Sequence, residues 1–79
     1  MGQVRQNVVG ERVRKARREH RPPLTQAELS KRLSKLGVSV GRAGIAKIET
    51  GIRGVLDYEV LALAKALSKR TSWLLSSME

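Results

Sequence analysis

The chain of 79 residues contains no cysteine and a single histidine, His20. Without cysteine there is neither a disulfide nor a thiolate metal site, and the composition reads as that of a cytoplasmic protein. No apolar run reaches the length of a membrane span or a signal-peptide core, and the first fifteen residues, MGQVRQNVVGERVRK, are polar. Met1-Gly2 is followed by Gln6 where a myristoylation signal wants Ser or Thr. Acidic pairs at catalytic spacing and a phosphate-cradling glycine loop are missing too. An enzyme is therefore not expected, and no cofactor or metal is implied. The short length allows one domain with a small core.

Positive charge is what the sequence has in excess. Sixteen Lys/Arg against seven Asp/Glu give a net charge of +9. The surplus is uneven. Residues 1–36 hold ten basic and three acidic side chains (+7), and residues 37–79 hold six and four (+2). Such a surplus attracts polyanions, of which nucleic acid is the commonest in a cytosol.

The stretch Leu24 to Gly51, LTQAELSKRLSKLGVSVGRAGIAKIETG, organises the rest. Thr25-x-x-Glu28 is a capping box, with Leu24 and Leu29 at hydrophobic-staple spacing around it. Leu29, Leu33 and Leu36 share one helical stripe, which predicts a helix over 25–36. Gly-Val-Ser-Val-Gly at 37–41 makes a corner. Gly37 suits a C-cap, Val38 and Val40 alternate toward the core, and Gly41 starts the next helix. That helix, 42–50, turns Ile45 and Ile48 inward and ends at Gly51. Its outward face, Arg42, Ala43, Ala46 and Lys47, is basic and slim, as a helix entering a DNA major groove needs to be. Gly44 lies inside it, at a cost of about 1 kcal/mol relative to Ala. Close approach of another backbone or tight packing inside the domain would each account for it. Glu49 sits beside the buried Ile48 near a helix C-terminus, where the macrodipole disfavours an anion, so it needs a cationic partner.

Around this core the pattern predicts further elements. Residues 1–6 read as a flexible arm. Residues 7–20 read as a helix capped by Asn7, with Val9, Val13 and Ala16 inward and a first turn loosened by Gly10. His20 reads as a surface residue at its end. Arg21-Pro22-Pro23 stops that helix. Gln26, at the start of the next one, and Arg53, in the loop 52–56, read as phosphate contacts. A helix over 57–67 carries Val60, Leu63, Ala64 and Leu67 on its stripe, after Asp57 and Glu59 in the first turn. Thr71 or Ser72 opens a short last helix with Trp73, Leu74 and Leu75.

Taken together, T-Q-A-E-L-S-K-R-L, G-R-A-G-I-A-K-I-E-T-G, L-A-K-A-L and S-W-L-L resemble the Cro/repressor-type helix-turn-helix proteins, the XRE family, over about residues 8–76. The resemblance implies an all-α, compact five-helix bundle of lambda-repressor-like type, its second and third helices forming the DNA-reading unit. It implies that Gln26 lies against the DNA backbone. It places Arg42, Ala43 and Gly44, and one turn later Lys47, on bases. It also implies that Glu49 pairs with Arg17 on the first helix, as a structural and not a catalytic pair. The chain departs from the phage repressors in having several more residues between Leu33 and Val40, so a longer second helix and turn are expected. The function implied is a sequence-specific double-stranded DNA-binding regulator, a repressor, with a two-fold dimer on DNA as the family's usual arrangement. The apolar C-terminal helix around Trp73, Leu74, Leu75 and on to Met78 reads either as the homodimer surface or as side chains that complete the monomer core. Two other readings stay open: an antitoxin-type interaction module that also autoregulates its operon, and the DNA-binding domain of a larger regulator.

Overall fold

In a computed structural model, which describes residues 5–76, the Thr25 hydroxyl accepts the Glu28 amide at 3.0 Å, and the Glu28 carboxylate accepts the Thr25 amide at 2.8 Å. This reciprocal cap satisfies two donors that a helix start leaves free. It opens α2, Gln26–Lys35, and the flanking Leu24 and Leu29 are both buried beside it. Five helices make up the described residues: α1 Gly10–Glu19, α2, α3 Arg42–Thr50, α4 Asp57–Leu67 and α5 Thr71–Leu75.

Three of these helices stop by the same device. Amides two or three residues beyond α2, α3 and α4 reach back to carbonyls five residues earlier: Val38 to Leu33, Ile52 to Lys47 and Lys69 to Ala64. Each stop needs a residue in the left-handed region. Gly37 (φ 82°) and Gly51 (φ 81°) supply it for α2 and α3, whereas at the end of α4 Ser68 takes φ 57°. The residues beyond Lys35 therefore extend the connection, 36–41, and not the helix, which ends one residue short of the expected boundary. Ser30 ties that connection to α2 by donating to the Val40 carbonyl at 2.6 Å.

α1 packs against α3, α4 and α5, and α2 packs against α3 and α4. Between them lies one core, with Val9, Val13, Leu29, Leu33, Ile45, Ile48, Leu63 and Leu74 fully enclosed. The inward residues expected of α1 to α4 are found inside, apart from Leu36, which is exposed, and Val60, which is half-buried, and α4 buries Ala62 and Ala66 as well.

The N-terminal segment differs from expectation. Residues 1–4 of the expected arm lie outside the described residues, but Arg5 and Gln6 are fastened down. The Gln6 amide donates to the Gly51 carbonyl at 2.7 Å, and the Arg5 guanidinium donates to the Glu49 carbonyl at 3.1 Å. A cation on the last carbonyls of α3 is favoured by its dipole. The first helix starts at Gly10 and not at residue 7, with Val9 in the N-cap position, so Asn7 is not its N-cap residue, although the Asn7 side chain still serves the free amides there. Its side-chain oxygen accepts the Val9 and Gly10 amides, and its NH2 donates to the carbonyls of Ile48 and Arg53. Gly10 does not loosen the turn. A Cβ there would run into the Ile48 carbonyl oxygen, so the glycine lets α1 and α3 meet backbone to backbone.

Candidate nucleic-acid interface

α3 turns two faces in opposite directions. Ile45, Ile48 and Glu49 are buried, while Arg42, Ala43, Lys47 and Thr50 are exposed and Ala46 is half-buried between them. The exposed residues recur at three- and four-residue spacing, which makes one continuous stripe. Neither the Arg42 guanidinium nor the Lys47 ammonium has an ion-pair or hydrogen-bond partner among the described residues. Ala43 and Ala46 keep the ridge between these cations low. Gly44 sits at the edge of the stripe, half-buried, with a Cβ position 3.0 Å from the Val40 side chain. The glycine therefore answers to packing inside the domain.

The helix is held from behind by Glu49. Its carboxylate accepts two hydrogen bonds from Arg17, Nε to Oε2 at 2.8 Å and Nη2 to Oε1 at 2.9 Å, and one from Gln26 Nε2 to Oε1 at 3.2 Å. Side-chain exposure is 12% for Arg17 and 2% for Glu49. Arg17 also donates to the Leu24 carbonyl at 3.0 Å, so one guanidinium links α1, the α1–α2 loop and α3. The Glu49 hydrogen bonds raise the Arg17 pKa above its ordinary value, against the opposing effect of burial.

Gln26 is thus turned partly inward. An ionised carboxylate only accepts, so the Gln26 amide must present its NH2 to Glu49. Its oxygen, left without a partner among the described residues, remains at the N-terminal end of α2.

Arg53 is engaged within its own chain. Its guanidinium donates to both oxygens of Glu59, at 3.0 and 2.8 Å, and to the Gly54 carbonyl at 2.9 Å. Glu59 is 4% exposed and also accepts the Leu56 amide at 2.9 Å. The Arg53 hydrogen bonds hold the Glu59 carboxyl below its ordinary pKa although burial pushes the other way, and they raise the Arg53 pKa. The chain therefore holds a second Arg–Glu clamp, between the α3–α4 loop and α4. Six residues separate its partners, and no short helical spacing announces it.

A cleft of about 580 Å³ runs along α1 to the end of α3, and Arg14, Lys15, Arg18 and Thr50 line it together with Arg5 and the acids Glu11, Glu19 and Glu49. It brings the basic run of α1 to the C-terminal end of the exposed α3 stripe. The sequence signal for these residues was the run RKARR, which by itself did not say which side of the molecule it occupies.

No family model, curated protein or solved structure matches the chain. Among the described residues no group of His, Cys, Asp and Glu is placed to hold a metal ion, and no helix is long and apolar enough to cross a membrane. His20 caps the end of α1, with Nδ1 2.9 Å from the Pro22 carbonyl oxygen and Nε2 3.4 Å from Arg32 Nη1.

The expected dimer surface is changed by packing. Leu74 is completely buried in the core of its own chain, and Trp73 is half-buried with the cations of Arg12 and Lys69 over its ring at 4.6 and 4.7 Å. Of the three residues only Leu75 is exposed, and Met78 lies outside the described residues.

Proposed function

We propose that the chain is a double-stranded DNA-binding regulator of the helix-turn-helix kind, a repressor that places α3 in the major groove. The observation that carries this reading is the α3 stripe: two unpaired cations, Arg42 and Lys47, flank a low ridge of Ala43 and Ala46. An Arg at the start of a groove-inserted helix can donate to guanine O6 and N7 together, and small side chains let the backbone approach or touch a thymine methyl. Lys47 reads a base or a phosphate one turn later. Gln26 supports the reading through its position at the α2 N-terminus, with its amide oriented by Glu49 and the free oxygen and second N–H still able to meet the DNA. Arg53 is left out of the contact set because Glu59 occupies it. Arg14, Lys15 and Arg18 supply the sequence-independent phosphate contacts instead.

One α3 stripe reads only a few base pairs, so two copies are needed for useful specificity, on half-sites about 34 Å apart or a multiple of that distance. Such copies meet, in this reading, through the exposed part of α5 at Leu75.

The test is selection of binding sites from a random duplex library at about 0.15 M salt, where exposed charges act over roughly 8 Å. An enriched inverted repeat supports a dimeric reader, and its spacing fixes the docking geometry. An enriched single half-site keeps DNA reading and removes the dimer. Binding without enrichment that disappears as salt rises refutes sequence-specific recognition and reduces the affinity to charge.

A further inference from the structure

We propose that the groove between the α2–α3 connection and α4 docks an acidic, amphipathic helical segment of a different protein. The groove encloses about 700 Å³. Its apolar floor is formed by Leu36, Tyr58 and Leu61, which are 43%, 54% and 59% exposed. Large exposed apolar side chains scattered singly need no explanation, but three gathered in one concavity mark a contact surface. A helix laid in such a groove buries apolar residues at positions i, i+3, i+4 and i+7.

Charge decides the occupant. Lys65 and Arg70 border the floor, with Lys69 beside them turned to the Trp73 ring, and among the described residues no acidic side chain lines the groove. A second copy of this chain is a poor complement. Across a two-fold axis it would set the same cations against each other. In a head-to-tail arrangement its exposed α1 acids, Glu11 and Glu19, come with Arg14, Lys15 and Arg18 beside them. Of its seven acidic residues, Glu49 and Glu59 are buried against Arg17 and Arg53, and Glu28 is engaged in the α2 cap. Carboxylates flanking an apolar stripe would instead meet Lys65 and Arg70, which gives both steering and selectivity. The groove shares no lining residue with the α3 stripe. Docking there leaves Arg42 and Lys47 free, so the surface works whether or not α3 binds DNA.

The experiment is selection of displayed random peptides, about 15 residues long, against the whole chain. Enriched sequences are then remeasured by fluorescence anisotropy on the wild type, Leu61→Asp and Lys65→Glu. The expected winners carry an apolar i, i+3, i+4, i+7 pattern flanked by Asp and Glu. Leu61→Asp weakens them by about tenfold or more, and Lys65→Glu weakens them by about threefold or more. Excess random-sequence duplex leaves their binding in place. Both variants change exposed side chains and are checked for wild-type thermal unfolding. The proposal fails if no apolar-acidic class is enriched. It fails equally if the winners bind Leu61→Asp as well as the wild type, or if duplex displaces them, since simple attraction to the basic surface then explains the result. Self-association of the wild type that Leu61→Asp abolishes would also overturn it, assigning the groove to a second copy.

Discussion

Arg17 on α1 and Glu49 on α3 face each other through two parallel hydrogen bonds, 2.8 and 2.9 Å long, with almost no water access to the carboxylate. Desolvating both ions offsets much of their attraction, so the pair itself adds little over an apolar one. Removing one partner is another matter. Arg17→Met leaves a buried carboxylate with only Gln26 for company, and a loss of about 3 kcal/mol or more is expected. The double variant Arg17→Met/Glu49→Leu should recover most of it. Urea unfolding of the two singles and the double measures the coupling. Additive losses would show that the two residues act independently.

Gly10→Ala tests the junction between α1 and α3. In an open helix this change stabilises by about 1 kcal/mol. Here the new methyl meets the Ile48 backbone carbonyl, which cannot rotate away. The expected result is a net loss of about 1–3 kcal/mol, comparable to overpacking a core. A stability equal to or above wild type would mean that the two helices separate at little cost.

The helices were legible in the sequence where local chemistry sets them. The Thr25–Glu28 cap, the leucine stripe of α2 and the Gly51 stop concern residues within a few positions of each other. The partnership of Arg17 with Glu49 spans 32 residues and came only through the family resemblance. The Arg53–Glu59 clamp was missed although its partners are near in sequence. Its formation depends on how the α3–α4 loop folds back onto α4, and no periodicity encodes that. Gly10 was misread for the same reason. A glycine in a helix looks like a defect until the backbone that approaches it is known. On α3 the exposed residues could be read from helical spacing. The α1 cations that join them at Thr50 required the packing of one helix on another.

Ser68 holds the conformation that Gly37 and Gly51 hold at the ends of α2 and α3, at φ 57°. A side chain in that region costs about 1–2 kcal/mol for most L residues, and glycine carries no such penalty. Ser68 is exposed, and no hydrogen bond of its hydroxyl is formed among the described residues. Ser68→Gly should therefore stabilise the chain by up to about 1 kcal/mol, less the extra freedom glycine gives the unfolded state. Thermal and urea unfolding measure it. A decrease would mean that the unfolded-state cost outweighs the relief.

Acid should loosen the clamp on α4. The Glu59 carboxyl titrates below its ordinary range in the folded chain, chiefly because Arg53 donates to it, so folding favours the ionised form. Its contribution is complete above the unfolded value, about pH 4.3, and is lost as pH falls through the lower folded value. Glu28, lowered by its bonds to the Thr25 amide and hydroxyl, acts in the same direction. Wild-type stability should hold between about pH 7 and 5 and fall below about pH 4. Glu59→Gln starts lower at neutral pH, because the partly buried Arg53 loses its counter-charge and one of the two side-chain oxygens it donates to, and should fall less steeply in acid. Parallel curves for the two proteins would remove Glu59 as a source of the slope.

Arg42 and Arg53 should separate reading from scaffolding, which the sequence had grouped together. On a selected DNA site, Arg42→Ala should cost about 1–3 kcal/mol and relax the preference at one base pair, with unfolding unchanged. Lys47→Ala should lower the slope of log affinity against log salt by about one if its partner is a phosphate. Arg53→Ala should do neither. It leaves Glu59 buried without a cation, so its effect belongs to stability, and DNA affinity measured well below the melting transition should keep the wild-type salt slope. The measurements are anisotropy titrations on matched and single-mismatch duplexes at several salt concentrations, with thermal unfolding alongside. A changed salt slope for Arg53→Ala at full folding would return that residue to the phosphate contacts. An unchanged base preference for Arg42→Ala would take it off the base edge and, with it, the central claim about the α3 stripe.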